Sequence, residues 1–164
     1  ARCYMNELSI RHAEPGDLDP LMKIETDSFP PAEAASCATL AYRISDLAEW
    51  FLVGMLDGVP VGFLNGLTTR KAFIEDDIFE PGNSHPDGKT LAILSLAVSP
   101  DFRCEGLAAA LLNSCLETAR QRGLELTCKD HLIHYYQRFG FMEHGISRSV
   151  HGGAVWHDME CRLL

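Results

Sequence analysis

Apolar and polar positions change their period several times along the 164-residue chain, and each change marks an element. Leu8 to Ala13 is short, apolar and β-compatible. Behind it, Leu18, Leu21, Met22 and Glu25 recur at helical spacing after Asp17, a residue suited to N-capping. Pro30-Pro31 stops that helix, and a second is expected over Glu33–Leu47. Trp50 to Gly66 reads as a hairpin, because WFLVGML and VPVGFLNG flank Asp57-Gly58, a pair suited to the positive-φ positions of a type I′ turn. Residues 68–89 are polar and predict a loop or a fragment of helix. TLAILSLAV, residues 90–98, is nearly all apolar, the pattern of a strand covered on both faces, and Pro100 ends it.

The period then returns to 3.6, with Leu107, Ala108, Leu111, Leu112, Cys115, Leu116 and Ala119 forming one stripe that Gly123 terminates. A short strand follows at 124–128, then a helix through HLIHYYQRF that Asp130 would cap and Gly140 would end. FMEHG and AVWHDMECRLL close the chain as two strands around a His151-Gly152-Gly153 turn. The order β-α-α-β-β-β-α-β-α-β-β predicts a single mixed α/β domain over 1–164, with a right-handed strand–helix–strand crossover at its centre.

Composition narrows the chemistry. A hydrophobic content of 46% supports an ordinary core, and a net charge of −9 without a Lys/Arg cluster argues against nucleic acid and for a cationic substrate. No apolar run reaches transmembrane length and the first residues lack a signal-peptide pattern, so a cytoplasmic protein without a membrane partner is expected. The six cysteines are scattered, with no CxxC, and read as reduced thiols used for packing, Cys128 included. His131 and His134 lack partner ligands nearby, so no metal is expected.

One junction carries more than packing. In SLAVSPDFRCEGLAAALL a buried strand feeds directly into a helix with Gly106 in its first turn, where glycine costs about 1 kcal/mol relative to alanine. Either that glycine is incidental, or an anion must approach amides that lack intrahelical partners. The lysine and the glycine spacing of other phosphate-binding loops are missing.

Arg103-Cys104-Glu105-Gly106-Leu107-Ala108 resembles the Q/R-x-x-G-x-G/A signature of the GCN5-related N-acetyltransferases, and CKDHLIHYYQRFGF resembles that family's strand–helix segment with its tyrosine. Within the family the likeness is to the arylalkylamine (serotonin) N-acetyltransferases, through ETDSFP, the GxPVGF hairpin, LAVSPDFR, CKDHLIHYYQRFGF and GGAVWHDMECRL, which together span most of the chain.

The resemblance implies a single-domain fold with a mixed, mostly antiparallel sheet flanked by helices, and acetyl transfer from acetyl-CoA to a primary amine without a metal. It implies that the backbone of Leu96, Ala97 and Val98 meets pantetheine, and that Arg103, Cys104, Glu105, Gly106, Leu107, Ala108 and Ala109 surround the pyrophosphate. Tyr136 would protonate the departing thiolate. The histidine pair that relays the amine proton in the arylalkylamine enzymes falls here on Ala92 and Leu94, leaving Glu25, or a water held near Ser95, as acceptor. Phe29 and Pro30, with the 68–89 loop, are expected to shape a closed pocket for a small arylalkylamine or polyamine, and the protein to be a monomer or homodimer. An open groove would instead suit a protein or peptide acceptor, and a chain that binds acetyl-CoA without turnover would be a sensor.

Overall fold

The computed structural model describes residues 7–103, 106–130 and 136–162. Seven strands form a sheet: β1 (Leu8–His12), β2 (Phe51–Leu56), β3 (Val59–Thr69), β4 (Thr90–Val98), β5 (Glu125–Asp130), β6 (Met142–Ile146) and β7 (His157–Cys161), in the order β1-β2-β3-β4-β5-β7-β6. Pairing is antiparallel for β1–β2, β2–β3, β5–β7 and β6–β7, and parallel for β4–β5. Among the described residues the α-helices with both ends described are α1 (Leu18–Ser28), α2 (Cys37–Asp46) and α3 (Leu107–Gln121). Among the described residues no helix is long and apolar enough to cross a membrane. The chain packs as two units, Ala1–Asn65 with Ser95–Ser114, and Gly66–Leu94 with Cys115–Leu164.

In the first unit, the apolar faces of α1 and α2 supply Leu21, Ile24, Leu40 and Ile44 to a core shared with Phe51, Val53, Phe63 and Ala97. Leu21 and Leu40 are wholly buried, each worth roughly 1.5–3 kcal/mol. Phe51 and Phe63 are neighbours in that core, their ring centres 5.7 Å apart. The β2–β3 turn is as expected, with Asp57 at φ 52° and Gly58 at φ 80°, and β3 continues past Gly66 to Thr69.

Two expectations here are corrected. Helix α2 begins at Cys37 instead of Glu33, because the carbonyl of Pro30 accepts the N–H groups of both Glu33 and Ala34 in a separate turn. Ser36 then caps α2, its Oγ accepting the Thr39 N–H at 3.1 Å. Asp17 precedes α1, but its carboxylate does not cap that helix. It accepts two bonds from the Arg11 guanidinium, at 2.8 and 2.9 Å, and one from the Glu14 N–H at 2.8 Å.

In the second unit, the β4–β5 register runs from Thr90↔Glu125 to Ala92↔Thr127, while β4 itself continues to Val98. β5 extends two residues beyond the expected 124–128 segment and pairs along its length with β7, from Leu126↔Cys161 to Asp130↔His157. The 70–89 connection holds a 3-10 turn at Asp76–Phe79. The Asp76 carboxylate accepts bonds from the Ser149 hydroxyl and, at 3.1 Å, from the Val150 N–H, tying this connection to the one between β6 and β7. His151–Gly153 is therefore a 3-10 turn inside a longer packed connection and not a tight hairpin. The Trp156 indole donates to the His151 carbonyl there at 2.9 Å. Cys115, Cys128 and Cys161 are buried free thiols, and burial pushes the Cys115 thiol up to about 12, which keeps it protonated and unreactive.

Candidate active site

The junction of β4 and α3 lies wholly in the first unit. Ser95 is buried, Ala97 and Val98 are buried, and Leu96 is half-buried. After a 3-10 turn at Pro100–Phe102, the exposed Arg103 folds back so that its Nε donates to the Val98 carbonyl at 3.1 Å. That bond uses one of the guanidinium's five N–H donors. Cys104 and Glu105 lie outside the described residues.

Gly106 stands immediately before α3, not in its first turn, and has φ +78°. This corrects the reason for the glycine. An L-residue in the left-handed region costs about 1–2 kcal/mol, so the backbone itself asks for glycine here. No atom lies within 4 Å of where its Cβ would be, so the space above it is open. The first helical bond of α3 is donated by Ala110 N–H to the Gly106 carbonyl at 3.0 Å. The N–H groups of Leu107, Ala108 and Ala109 precede it in the chain, at the positions where a helix has donors to spare for an anion. The residues present fit a pyrophosphate, since a side chain at 106 would fill the space that an anion needs.

What holds this helix start in place was not read from the sequence. Leu107 is 1% exposed and its side chain lies against two glycines that face one another across β2 and β3. A Cβ on Gly54 would stand 2.6 Å from Leu107 Cδ1, and one on Gly62 would stand 2.8 Å from Leu107 Cδ2 and 2.9 Å from the Ala97 carbonyl oxygen. The local signal was two glycines inside apolar strands, a mark of close approach.

Three other expected residues meet at the end of α1. Glu25 is 2% exposed, and its Oε2 accepts the Ala35 N–H at 2.7 Å. Phe29 is half-buried against the first-unit core, with its N–H on the Glu25 carbonyl, and Pro30 is exposed. Arg43, on the buried face of α2, donates to Asn65 Oδ1 at 3.3 Å. Burial lowers the Arg43 pKa, and the nearby Glu25 charge opposes that shift. The buried set of Glu25, Arg43 and Asn65 was half missed, because arginine on a helix ordinarily reads as a solvated position.

Tyr136 belongs to the second unit. It is buried, edge-on to Phe141 with ring centres 5.6 Å apart, and its carbonyl accepts the Phe139 and Phe141 N–H groups as the chain turns through Gly140 at φ 92°. Most of the helix expected before it, with His131, His134 and Tyr135, lies outside the described residues, as does the side chain of Asp130.

A glycine-led helix start follows a long apolar strand set in a mixed seven-stranded sheet. The chain belongs to the acetyltransferase (GNAT) family, whose model matches residues 18–141. It is 25% identical over 138 residues to the uncharacterized N-acetyltransferase YkwB of Bacillus subtilis, a match covering 72% of this chain and 58% of the relative, so the chain spans little more than half of that protein. In fold it is similar to the loading GNATL domain of CurA from Lyngbya majuscula, with a TM-score of 0.85 at 14% identity, covering 96% of this chain and 98% of that domain. It is also similar to the GphF GNAT-like decarboxylase solved with isobutyryl-CoA, with a TM-score of 0.80 at 21% identity, covering 95% of this chain and 100% of that one.

Proposed function

We propose that the chain transfers the acetyl group of acetyl-CoA to a primary amine, with an arylalkylamine or a polyamine as acceptor. The observation that carries this reading is the start of α3, where the Leu107–Ala109 N–H groups follow a left-handed Gly106 beneath open space. The donor brings a thioester, whose carbonyl carbon is the electrophile. The α3 amides bind its pyrophosphate, Arg103 adds positive charge, and the backbone of Leu96–Val98 holds the pantetheine.

As the amine nitrogen bonds to the carbonyl carbon and the C–S bond breaks, the Tyr136 hydroxyl gives its proton to the sulfur. A phenol with a pKa near 10 is matched to a thiolate whose conjugate acid lies near 8.5. The proton lost by the amine passes to the Glu25 carboxylate or to a water held near Ser95. The −9 charge of the chain favours cationic acceptors over anionic ones.

The test is acetyl-CoA-dependent thiol release with a panel of arylalkylamines, polyamines and short peptides, repeated with isobutyryl-CoA as donor. Turnover with the small amines supports the reading, whereas turnover with peptides alone replaces the acceptor class. Acetyl-CoA that raises the melting temperature with no turnover on any amine leaves only binding.

A further inference from the structure

The connection between α1 and α2 is pinned at both ends on one residue. Glu25 offers its backbone carbonyl to the Phe29 N–H at 3.1 Å, closing α1, and its side-chain Oε2 to the Ala35 N–H at 2.7 Å. Ser36, the next residue, caps α2. Between the two pins, Pro30 and Pro31 restrict the backbone, and the Pro30 carbonyl accepts the Glu33 and Ala34 N–H groups. Phe29 packs against the first-unit core at the start of this connection, so whatever holds the connection also holds that ring.

A carboxylate as deep as Glu25 needs an opposite charge near it. Arg43 of α2, 5% exposed, supplies one: burial lowers its pKa, and the Glu25 charge is the first effect to oppose that. The guanidinium is oriented in turn by β3, where Nη1 donates to Asn65 Oδ1 at 3.3 Å. Asn65 is wholly buried, and its Nδ2 has no acceptor among the described residues. Turning that amide over would aim Nδ2 at a guanidinium that has no lone pair, so Arg43 fixes the Asn65 orientation. An apolar pair of the same size would fill this space at a lower desolvation cost, so packing alone does not call for the two charges.

We infer that Arg43 is a positioning residue: its charge keeps the Glu25 carboxylate on the Ala35 N–H, and this clasp fixes the 29–35 connection and, with Phe29, the acceptor side of the transfer site. Without the guanidinium, the buried carboxylate gains by turning toward water or by taking up a proton, and either change weakens the bond from the Ala35 N–H. Arg43 therefore acts through Glu25 and the connection, not on a reacting atom. The effect on the acceptor rests on the amine-transfer reading above, whereas the clasp belongs to the folded chain and needs no acetyl-CoA.

The experiment compares the parent, Arg43→Met and Arg43→Lys by amide NMR without acetyl-CoA, and by steady-state kinetics with 2-phenylethylamine as acceptor. In Arg43→Met the Ala35 amide proton should lose the downfield shift that a 2.7 Å bond to a carboxylate gives it, while the Val53 and Phe63 amides of the paired β2 and β3 keep theirs. KM for the amine should rise about fivefold or more with KM for acetyl-CoA within about twofold, and Arg43→Lys, which keeps the charge, should lie nearer the parent in both readouts. If Arg43→Met does not fold, the charge-free pairs Glu25→Gln/Arg43→Met and Glu25→Leu/Arg43→Met should fold, and only the first, which retains an acceptor, should keep the Ala35 shift. An unchanged Ala35 shift in Arg43→Met, equal shifts across β2 and β3, Arg43→Lys matching Arg43→Met, or charge-free pairs that stay unfolded would overturn the inference. So would an unchanged amine KM with a displaced acid limb of kcat, which would make Arg43 act on a proton at Glu25 instead. The expected Ala35 shifts with no turnover on any amine keep the clasp and remove the amine reading.

Discussion

The side chain of Leu107 occupies the place where a Cβ on Gly54 would stand, 2.6 Å from its Cδ1. Leu107 is the first residue of α3, so this packing fixes where the helix amides begin. Gly54→Ala is expected to push the leucine aside, cost about 1–3 kcal/mol of stability and raise KM for acetyl-CoA several-fold, with KM for the amine little changed. Adding Leu107→Ala should recover the position of the helix start in part. Gly62→Ala should be worse than Gly54→Ala, because the Ala97 carbonyl at 2.9 Å is backbone and cannot rotate away. Steady-state kinetics and thermal unfolding of the three variants check this.

At Gly106, strain and access can be separated. Gly106→Val imposes a β-branched side chain on φ +78°, so a loss of acetyl-CoA binding there would mix two causes. Asparagine tolerates the left-handed region. Gly106→Asn should therefore stay within about 1 kcal/mol of the parent in stability while losing at least tenfold in acetyl-CoA affinity. An unchanged affinity would return the glycine to a purely conformational role.

Tyr136→Phe keeps the ring that packs on Phe141 and removes only the hydroxyl. If that hydroxyl protonates the thiolate, kcat should fall by about 10²–10⁴ while the melting-temperature rise on adding acetyl-CoA persists. A kcat within twofold of the parent would take Tyr136 out of the proton transfer.

Asp17 predicts an acid-sensitive fold. The Arg11 guanidinium bonds lower its pKa, and the Glu14 N–H bond lowers it further against the opposing effect of burial. A carboxylate with a depressed folded-state pKa adds stability above its unfolded value of about 3.9, and that stability is lost as the pH falls through the folded value. Asp17→Asn should cost about 1–3 kcal/mol at pH 7, and the gap between variant and parent should close below about pH 4. Urea unfolding across that range measures it.

The elements that were legible are those decided by neighbours in the chain. The 90–98 strand and the Asp57-Gly58 turn came out as read, because an apolar run and a positive-φ pair carry their own reasons. Tyr136 and the β4–α3 segment were picked out by motif and Glu25 by its place on the first helix, and the structure gives each a position. Ser36 was legible too, three residues before Thr39, but the stretch after Pro31 looked helical enough to hide it.

By itself the sequence determined the order of the described strands and helices, the strand-to-helix junction and the family. Helical and strand periods, turn residues and short motifs act over a few residues, where local sterics decide. Only the tertiary structure decided which partner each side chain found. Asp17 turned from helix cap to the acceptor of Arg11 on another element, and Asp76 reached Ser149 across 73 positions. Gly54 and Gly62 became a seat for Leu107, and Asp158 came to line a cavity with residues of the 71–75 segment. Such pairings depend on close packing between segments distant in the chain, and no local period records them.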